Sequence, residues 1–228
     1  MSTDTKQKIL DVAEELFAEH GFAGTSLRHI IADAGVNLAA VHYHFRSKES
    51  LLEAVIVRRT APLNEERLAL LDKVEREAGR SAASVEEILL AFLGPPIRLI
   101  LNPSGEGRIF GKLMGRLHSE TNVCFLEIAK KHFDVISQRF HAALVRAVPD
   151  LPVDDLNWRV HFAMGAMAHT LSFWDRLEAV SHGKLKTGDP ETLIPRLVGF
   201  IAAGFRAPVV ARQATGHLKK KAAVERRS

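Results

Sequence analysis

Cysteine occurs once in 228 residues, so no disulfide can close within the chain and no thiolate cluster can hold a metal. Cys124 sits in NVCFLEIA, where a small buried apolar residue is the plain reading. No uninterrupted apolar stretch reaches membrane-spanning length, and the polar start MSTDTKQK lacks the apolar run of a signal peptide. A cytoplasmic protein that does not enter a membrane is therefore expected. Alternating strand patterns, internal repeats and extended low-complexity segments are missing too, which points to an all-α chain. Catalytic signatures are equally scarce: there is no phosphate-binding glycine loop, nucleophile elbow or helical H-E-x-x-H. His141, His161 and His169 do not share ligand spacing with nearby Cys, Asp or Glu. Neither an enzyme, a metal site nor a cofactor is expected.

What is present is an ordinary globular composition, 46% hydrophobic and 25% charged. The net charge of +4 is unevenly placed. Residues 206–228 hold seven Lys/Arg against Glu225, or +6, which leaves the other 205 residues at −2. The basic excess is thus a property of the end of the chain, and residues 207–228 read as a basic, disordered tail. Such a tail could add nonspecific attraction to DNA or simply keep the protein in solution.

The folded part is organised around TSLRHIIADAGVNLAAVHYHFRSK, residues 25–48. Leu27, Ile30, Ile31 and Ala34 form one apolar set at helical spacing, and Leu38, Val41 and Phe45 form another. Gly35-Val36-Asn37 lies between them. Glycine just past a helix end takes the left-handed conformation without a Cβ penalty, and Asn37 can cap the helix that follows. Two helices joined by so short a turn are the unit that lays its second helix in a DNA major groove. The second helix would show Ala39, Ala40, His42 and Tyr43 outward, while Leu38 is compatible with either side. A preceding helix over 6–20, inward through Ile9, Ala13, Leu16 and Phe17, completes a small unit over residues 1–47. Thr25 or Ser26 caps the second helix.

Ser47 should cap a fourth helix, and residues 48–78 read as a connecting rod in which Pro62 kinks or interrupts the helix. Leu63, Leu68 and Leu71 point inward along its later part. A larger helical body follows over 79–206. Its first helix opens on the capping pattern Ser84 to Glu87 and is expected to break at Gly94-Pro95-Pro96. Further helices read as 107–118, 121–147, 154–181 and 190–206, the last distorted by Pro195 in its first turns.

The 154–181 helix is apolar on two sides. Leu156, Val160, Ala163, Met164, Met167, Leu171 and Trp174 fall on one stripe; Trp158, Phe162, Ala166, His169, Phe173 and Leu177 fall on another. Such a helix has to be covered twice. One cover is the body's own core, and the other is either a second copy of the chain or a further helix of the same chain. The 190–206 helix is similar, with Leu193, Leu197, Phe200 and Ile201 beside Ile194, Val198 and Phe205. Pairing of both helices with their two-fold mates would make a four-helix homodimer contact.

The stretch ILDVAEELFAEHGFAGTSLRHIIADAGVNLAAVHYHFRSKESLLEAV resembles the DNA-binding domain of the TetR/AcrR family of bacterial transcriptional regulators. FAEHGF, T-S-x-R, A-x-A-G-V and Y-H-F-x-S-K-E-x-L carry the resemblance. It implies an all-helical homodimer whose C-terminal body binds a small-molecule effector. RRTAPLNEERLALLD, GRLHSE and LNWRVHFAMGAMAH resemble a fatty-acid-responsive subgroup of that family, which implies an acyl or other apolar effector. By motif position, Thr25 or Ser26 with Arg28 would meet the DNA backbone. Tyr43 and His44 would touch phosphate or sugar, and Lys48 would reach a phosphate. Asn37, Ala39, Ala40 and His42 would face the groove. Three positions depart from the family pattern: Leu38 stands where lysine is common, Ala40 where threonine is common, and His42 in place of the first tyrosine of an aromatic pair.

For the effector, Phe110, Met114, His118, Met164, Met167 and Trp174 are the candidate lining, although core packing alone also accounts for them. Arg98, Arg108 or Arg116 could meet an acidic head group. The expected function is a ligand-responsive repressor released from a palindromic double-stranded operator. The rival is a helical small-molecule-binding or interaction protein whose helix-turn-helix no longer binds DNA.

Overall fold

The computed structural model describes residues 2–105, 107–119, 123–185 and 188–209. Among these residues the chain forms helices and no strand. In order they are α1 (Ser2–Gly24), α2 (Leu27–Ala34), α3 (Leu38–Phe45), α4 (Lys48–Ala78), α5 (Val85–Ile100), α6 (Arg108–Ser119), α7 (Val123–Ala147), α8 (Val153–Ser172), α9 (Trp174–Val180) and α10 (Pro190–Arg206).

The helix starts follow local chemistry. Ser26, Asn37, Ser47 and Ser84 each accept a backbone N–H with the side chain at a β-region N-cap. Ser84 and Glu87 complete a reciprocal capping box. Gly21, at φ 74°, kinks α1 where the first helix was expected to end, and one more turn follows to Gly24.

Two buried clusters organise the molecule. The first joins Ile9, Ala13 and Phe17 of α1 to Ile30, Val41 and Phe45 of α2 and α3, and to Leu51, Leu52, Val55 and Ile56 of α4. It also takes in Leu113 and Leu117 of α6 and Phe125 and Ile128 of α7, so it extends well past residue 47. The second gathers Leu71 of α4 with apolar residues of α5, α7, α8 and α10. Helix α4 runs through both.

Prolines interrupt less than the sequence predicts. Helix α4 is continuous across Pro62, and α5 is continuous across Gly94-Pro95-Pro96. Both corrections have the same physical basis, because each helix is clamped by burial on either side of its proline. In α5 the penalty is also met directly. Pro96 has no N–H for the carbonyl of Phe92 four residues earlier, and that carbonyl instead accepts from Arg67 Nε at 2.9 Å. Helix α10 likewise continues through Pro195. Conversely, the single helix expected over 154–181 is divided. Helix α8 ends at Ser172, Phe173 adopts φ −135° and ψ 27°, and α9 begins at Trp174. No glycine or proline marks that break.

The two-sided α8 is as expected. Leu156, Ala163, Met167 and Leu171 are buried, while Trp158 and Phe162 on the other side are 62% and 63% exposed. In α10, Leu197, Ile201, Ile194, Val198 and Phe205 are all buried and Phe200 is exposed, so less of this helix is left to be covered from outside. Among the described residues no helix is long and apolar enough to cross a membrane.

Candidate functional site

The turn between α2 and α3 is held by backbone and cap bonds and by Val36 packed on the first cluster. Gly35 adopts φ 60° and ψ 37°, its N–H donates to Ala32 O, and the Val36 N–H reaches back to Ile31 O, which is the paired closure of a Schellman motif. Asn37 Oδ1 then accepts from Ala40 N at 2.8 Å. Val41 and Phe45 face the core, so α3 has one possible outward face. Leu38 belongs to it, at 52% exposure, together with Ala39, His42 and Tyr43, the last 81% exposed; Ala40 and His44 are half-buried at its margin. Tyr43 and His44 meet edge to face, with ring centroids 5.0 Å apart. His42 Nδ1 lies 3.2 Å from Arg46 O, and Arg46 caps the helix at φ 62° with its side chain exposed. Arg46 was absent from the sequence-based set although it ends the same helix.

Ser26, Arg28 and Asn37 are exposed beside this face. Two other candidates sit differently. Thr25 is 1% exposed, and its hydroxyl is shared between the carbonyls of Leu16 and Gly21, so the side chain ties α1 to α2 and presents nothing outward. Lys48 directs its ammonium at the carbonyls of Phe22 and Thr25, both at 2.9 Å, and 4.2 Å above the Phe22 ring. It tethers the same corner before it can reach a phosphate.

The second cluster and the inner face of α6 border a cavity of about 740 Å³ that is open on one side. Phe110, Met114, His118, Met164 and Met167 line it, with walls also from α4, α5, α7 and α10. Trp174 opens α9, but its side chain lies outside the described residues. Of the arginines considered for a head group, Arg98 pairs with Glu191 at 3.0 Å on the surface, Arg116 reaches α1, and Arg108 is exposed. The cation in the wall is Arg67, 6% exposed, which the sequence reading passed over. Its signal was available, since Leu63, Arg67 and Leu71 lie on one i, i+4 row whose two leucines are buried.

Helix α6 joins the two sites. Phe110, Met114 and His118 face the cavity, while Leu113 and Leu117 lie in the cluster that holds α1–α3. Arg116 Nη1 donates to the carbonyls of Ala18 and Glu19 near the end of α1. Against α8 the approach is so close that a Cβ on Gly115 would come within 2.2 Å of Ser172 Oγ. Helix α4 is fixed to α1 as well: Glu14, 2% exposed, accepts from Arg58 and Arg59, and Arg58 also reaches Asp11 at 2.6 Å.

An outward-facing second helix on a capped turn, followed by a larger helical body, defines a helix-turn-helix regulator. The sequence comparisons name the family. Residues 9–55 match bacterial regulatory proteins of the tetR family, and residues 90–204, half of the chain, match the tetracyclin repressor-like C-terminal domain. The chain belongs to the tetR family of bacterial transcriptional regulators. Curated relatives include the HTH-type transcriptional regulator SrpR of Pseudomonas putida, 40% identical over 60 residues, and AcrR of Shigella flexneri, 42% identical over 52. These matches span 26% and 23% of this chain and only 28% and 24% of those proteins. Solved structures share the fold over most of the length. FadR from Bacillus subtilis in complex with stearoyl-CoA gives a TM-score of 0.57 at 16% identity, covering 87% of this chain and 98% of that one. HlyIIR, a hemolysin II transcriptional regulator, gives 0.54 at 18% identity over 88% and 98%.

Proposed function

We propose that the protein is a homodimeric repressor that a small apolar or amphipathic effector releases from a palindromic operator. The observation that carries this reading is the double role of α6. One face of that helix borders the cavity and the other is buried with the helix-turn-helix core. An occupant that pushes on Phe110 or Met114 therefore pushes on the support of α1, and α4 is carried along through Glu14. Ligand and DNA would then select different separations of the two recognition helices, and the coupling is reciprocal.

On the DNA side, Ser26 and Arg28 would meet phosphates, with Tyr43 and His44 at the groove edge. Asn37, Ala39, Ala40 and His42 would face the bases, where an alanine methyl can meet a thymine methyl and His42 can donate to a purine. Thr25 and Lys48 act as positioning groups in this scheme, and exposed Arg46 adds a cation at the C-terminal end of α3. Dimerisation would cover Trp158 and Phe162, whose rings stack 5.8 Å apart, together with Phe200. The acyl-CoA complex of the FadR neighbour supports an acyl or similarly apolar effector.

The rival, a helical ligand-binding protein with a vestigial helix-turn-helix, draws on Leu38–Phe45 having no Lys or Arg and on the tethering of Lys48. Footprinting on DNA flanking the protein's own gene separates the two. The repressor reading requires a protected palindrome that fades with salt and with added effector; protection at no site would end it in favour of the rival.

A further inference from the structure

Arg67 stands apart from the other arginines whose ion pairs can be traced. Arg58 pairs with Asp11 and Glu14, Arg98 with Glu191, Arg139 with Asp72 and Glu75, and Arg146 with Glu75. Arg67 is more buried than any of these, yet among the described residues it has no carboxylate partner. Nε donates to Phe92 O, Nη1 donates to Asn64 Oδ1 at 3.2 Å, and the guanidinium lies 4.1 Å over the Phe92 ring. All three partners are neutral. Burial pushes its pKa down to about 10, which still leaves it charged at neutral pH. Glu66 adds attraction through space, but a desolvated cation bonded directly only to neutral groups is unfavourable unless something brings the opposite charge into contact.

The bond to Phe92 explains why an arginine is tolerated there, because it serves the carbonyl that Pro96 cannot. It does not use the Nη2 corner, which has no protein acceptor among the described residues. Three polar groups of the lining already have protein partners. The Thr60 hydroxyl donates to Ile56 O, Gln138 donates to Asp134, and His141 Nε2 is bonded to Asn157. The lining also carries His118, Ser137 and Ser172, and the rest of it is apolar, including Leu63, Leu93 and Phe133.

We propose that Arg67 is the counter-ion of the effector, which is an amphiphile carrying one carboxylate on an apolar body. The inference rests on the effector reading above and narrows it. The carboxylate accepts from the Nη2 corner of the guanidinium, a charge-assisted bond stronger than one between neutral groups. The apolar body lies along the phenylalanine and methionine walls. A single buried positive charge balances a monoanion and leaves a phosphate dianion in excess. The volume of about 740 Å³ suits a medium-chain or ring-bearing acid.

Calorimetric titration of the full-length protein with decanoate, decanamide and methyl decanoate, all below their aggregation limits, tests the assignment. The expected result is decanoate at least about tenfold tighter than either neutral analogue, a margin of about 1.4 kcal/mol or more. In Arg67→Met the three should converge to within about threefold, with Arg67→Lys retaining part of the preference as the variant that keeps the charge. Equal, saturable binding of all three by the unmodified protein overturns the Arg67 assignment while leaving the cavity as an effector site, and needs no variant to fold. Saturation by none of them removes the effector reading as well.

Discussion

The turn from α2 to α3 and the wall of the cavity use their polar groups in opposite ways. Around the turn the capping bonds close within a few residues: Ser26 on His29, Gly35 on Ala32, Asn37 on Ala40, Ser47 on Ser50. In the wall and just behind it the bonds that matter span the chain, as in Arg67 to Phe92 across 25 residues or Asn64 to His132 across 68. The caps of the first region need only their own neighbours in sequence, whereas the second is built from five or six helices. A recognition surface gains from being fixed locally. A cavity has to be built by elements that can move relative to one another, and its lining is accordingly apolar and weakly tied.

The comparison breaks if equal truncations hurt both regions equally. Phe17 is fully buried in the first cluster, and Phe17→Ala should lose about 3–5 kcal/mol. Met164→Ala removes a half-buried side chain that already borders empty space, and should lose less than about 2 kcal/mol. Urea unfolding of the two variants checks the ordering. A reversed order would mean that the cavity is closed and filled by the protein's own side chains.

Next in size is the seam. Gly115→Val places a branched side chain where Ser172 Oγ stands, so α6 must move away from α8 at a cost of about 1–3 kcal/mol. Because α6 also supports α1, this variant should bind operator with an altered response to effector, measured as the ligand concentration that halves DNA binding. An unchanged midpoint would remove α6 as the connecting element. Tyr43→Ala should do the opposite. At 81% exposure it changes stability by no more than about 0.5 kcal/mol. Its loss should weaken operator affinity about tenfold, or about 1.4 kcal/mol, in a fluorescence anisotropy titration. A fall in stability with no change in affinity would place Tyr43 in packing.

Those local and distant bonds also decide what the sequence reveals. The caps and Gly35 are signalled within four residues of where they act, so α2, α3 and the start of α4 follow from the sequence, and only the direction of Leu38 stays open until Val41 and Phe45 are seen to occupy the core. Thr25 misleads because its hydroxyl partner, Leu16 O, lies nine residues back on another helix. Pro62 and Pro96 signal breaks that tertiary clamping overrides. Phe173 breaks a helix with no local warning. Arg67 is visible on its i, i+4 row, but its meaning depends on Pro96 and Asn64 lying beside it. Phe110, Met114, His118, Met164 and Met167 are legible as converging apolar positions, because amphipathic spacing survives folding even where helix ends do not.

The smallest effect tests how the two regions are joined. Glu53 on α4 accepts from Lys131 Nζ at 2.7 Å and His132 Nε2 at 2.6 Å on α7. The bond from Lys131, followed by that from His132, holds its carboxyl below the ordinary carboxylate range. Because the folded pKa is depressed, the unfolded chain binds a proton first as the pH falls. The contribution is therefore complete above the ordinary carboxylate pKa and is lost as pH drops through it to the folded value. Both donors are at least partly solvated, which limits the whole effect to a few tenths to about 1 kcal/mol. Glu53→Gln should lower Tm slightly at pH 7, and the gap to the unmodified protein should shrink as the pH falls through the carboxylate range. A gap that ignores pH would assign Glu53 to shape instead of charge, and the link between α4 and α7 would then rest on the buried contacts of Phe125 and Ile128 with the α4 leucines, the Asn64 to His132 bond and the Arg139 and Arg146 pairs with Asp72 and Glu75.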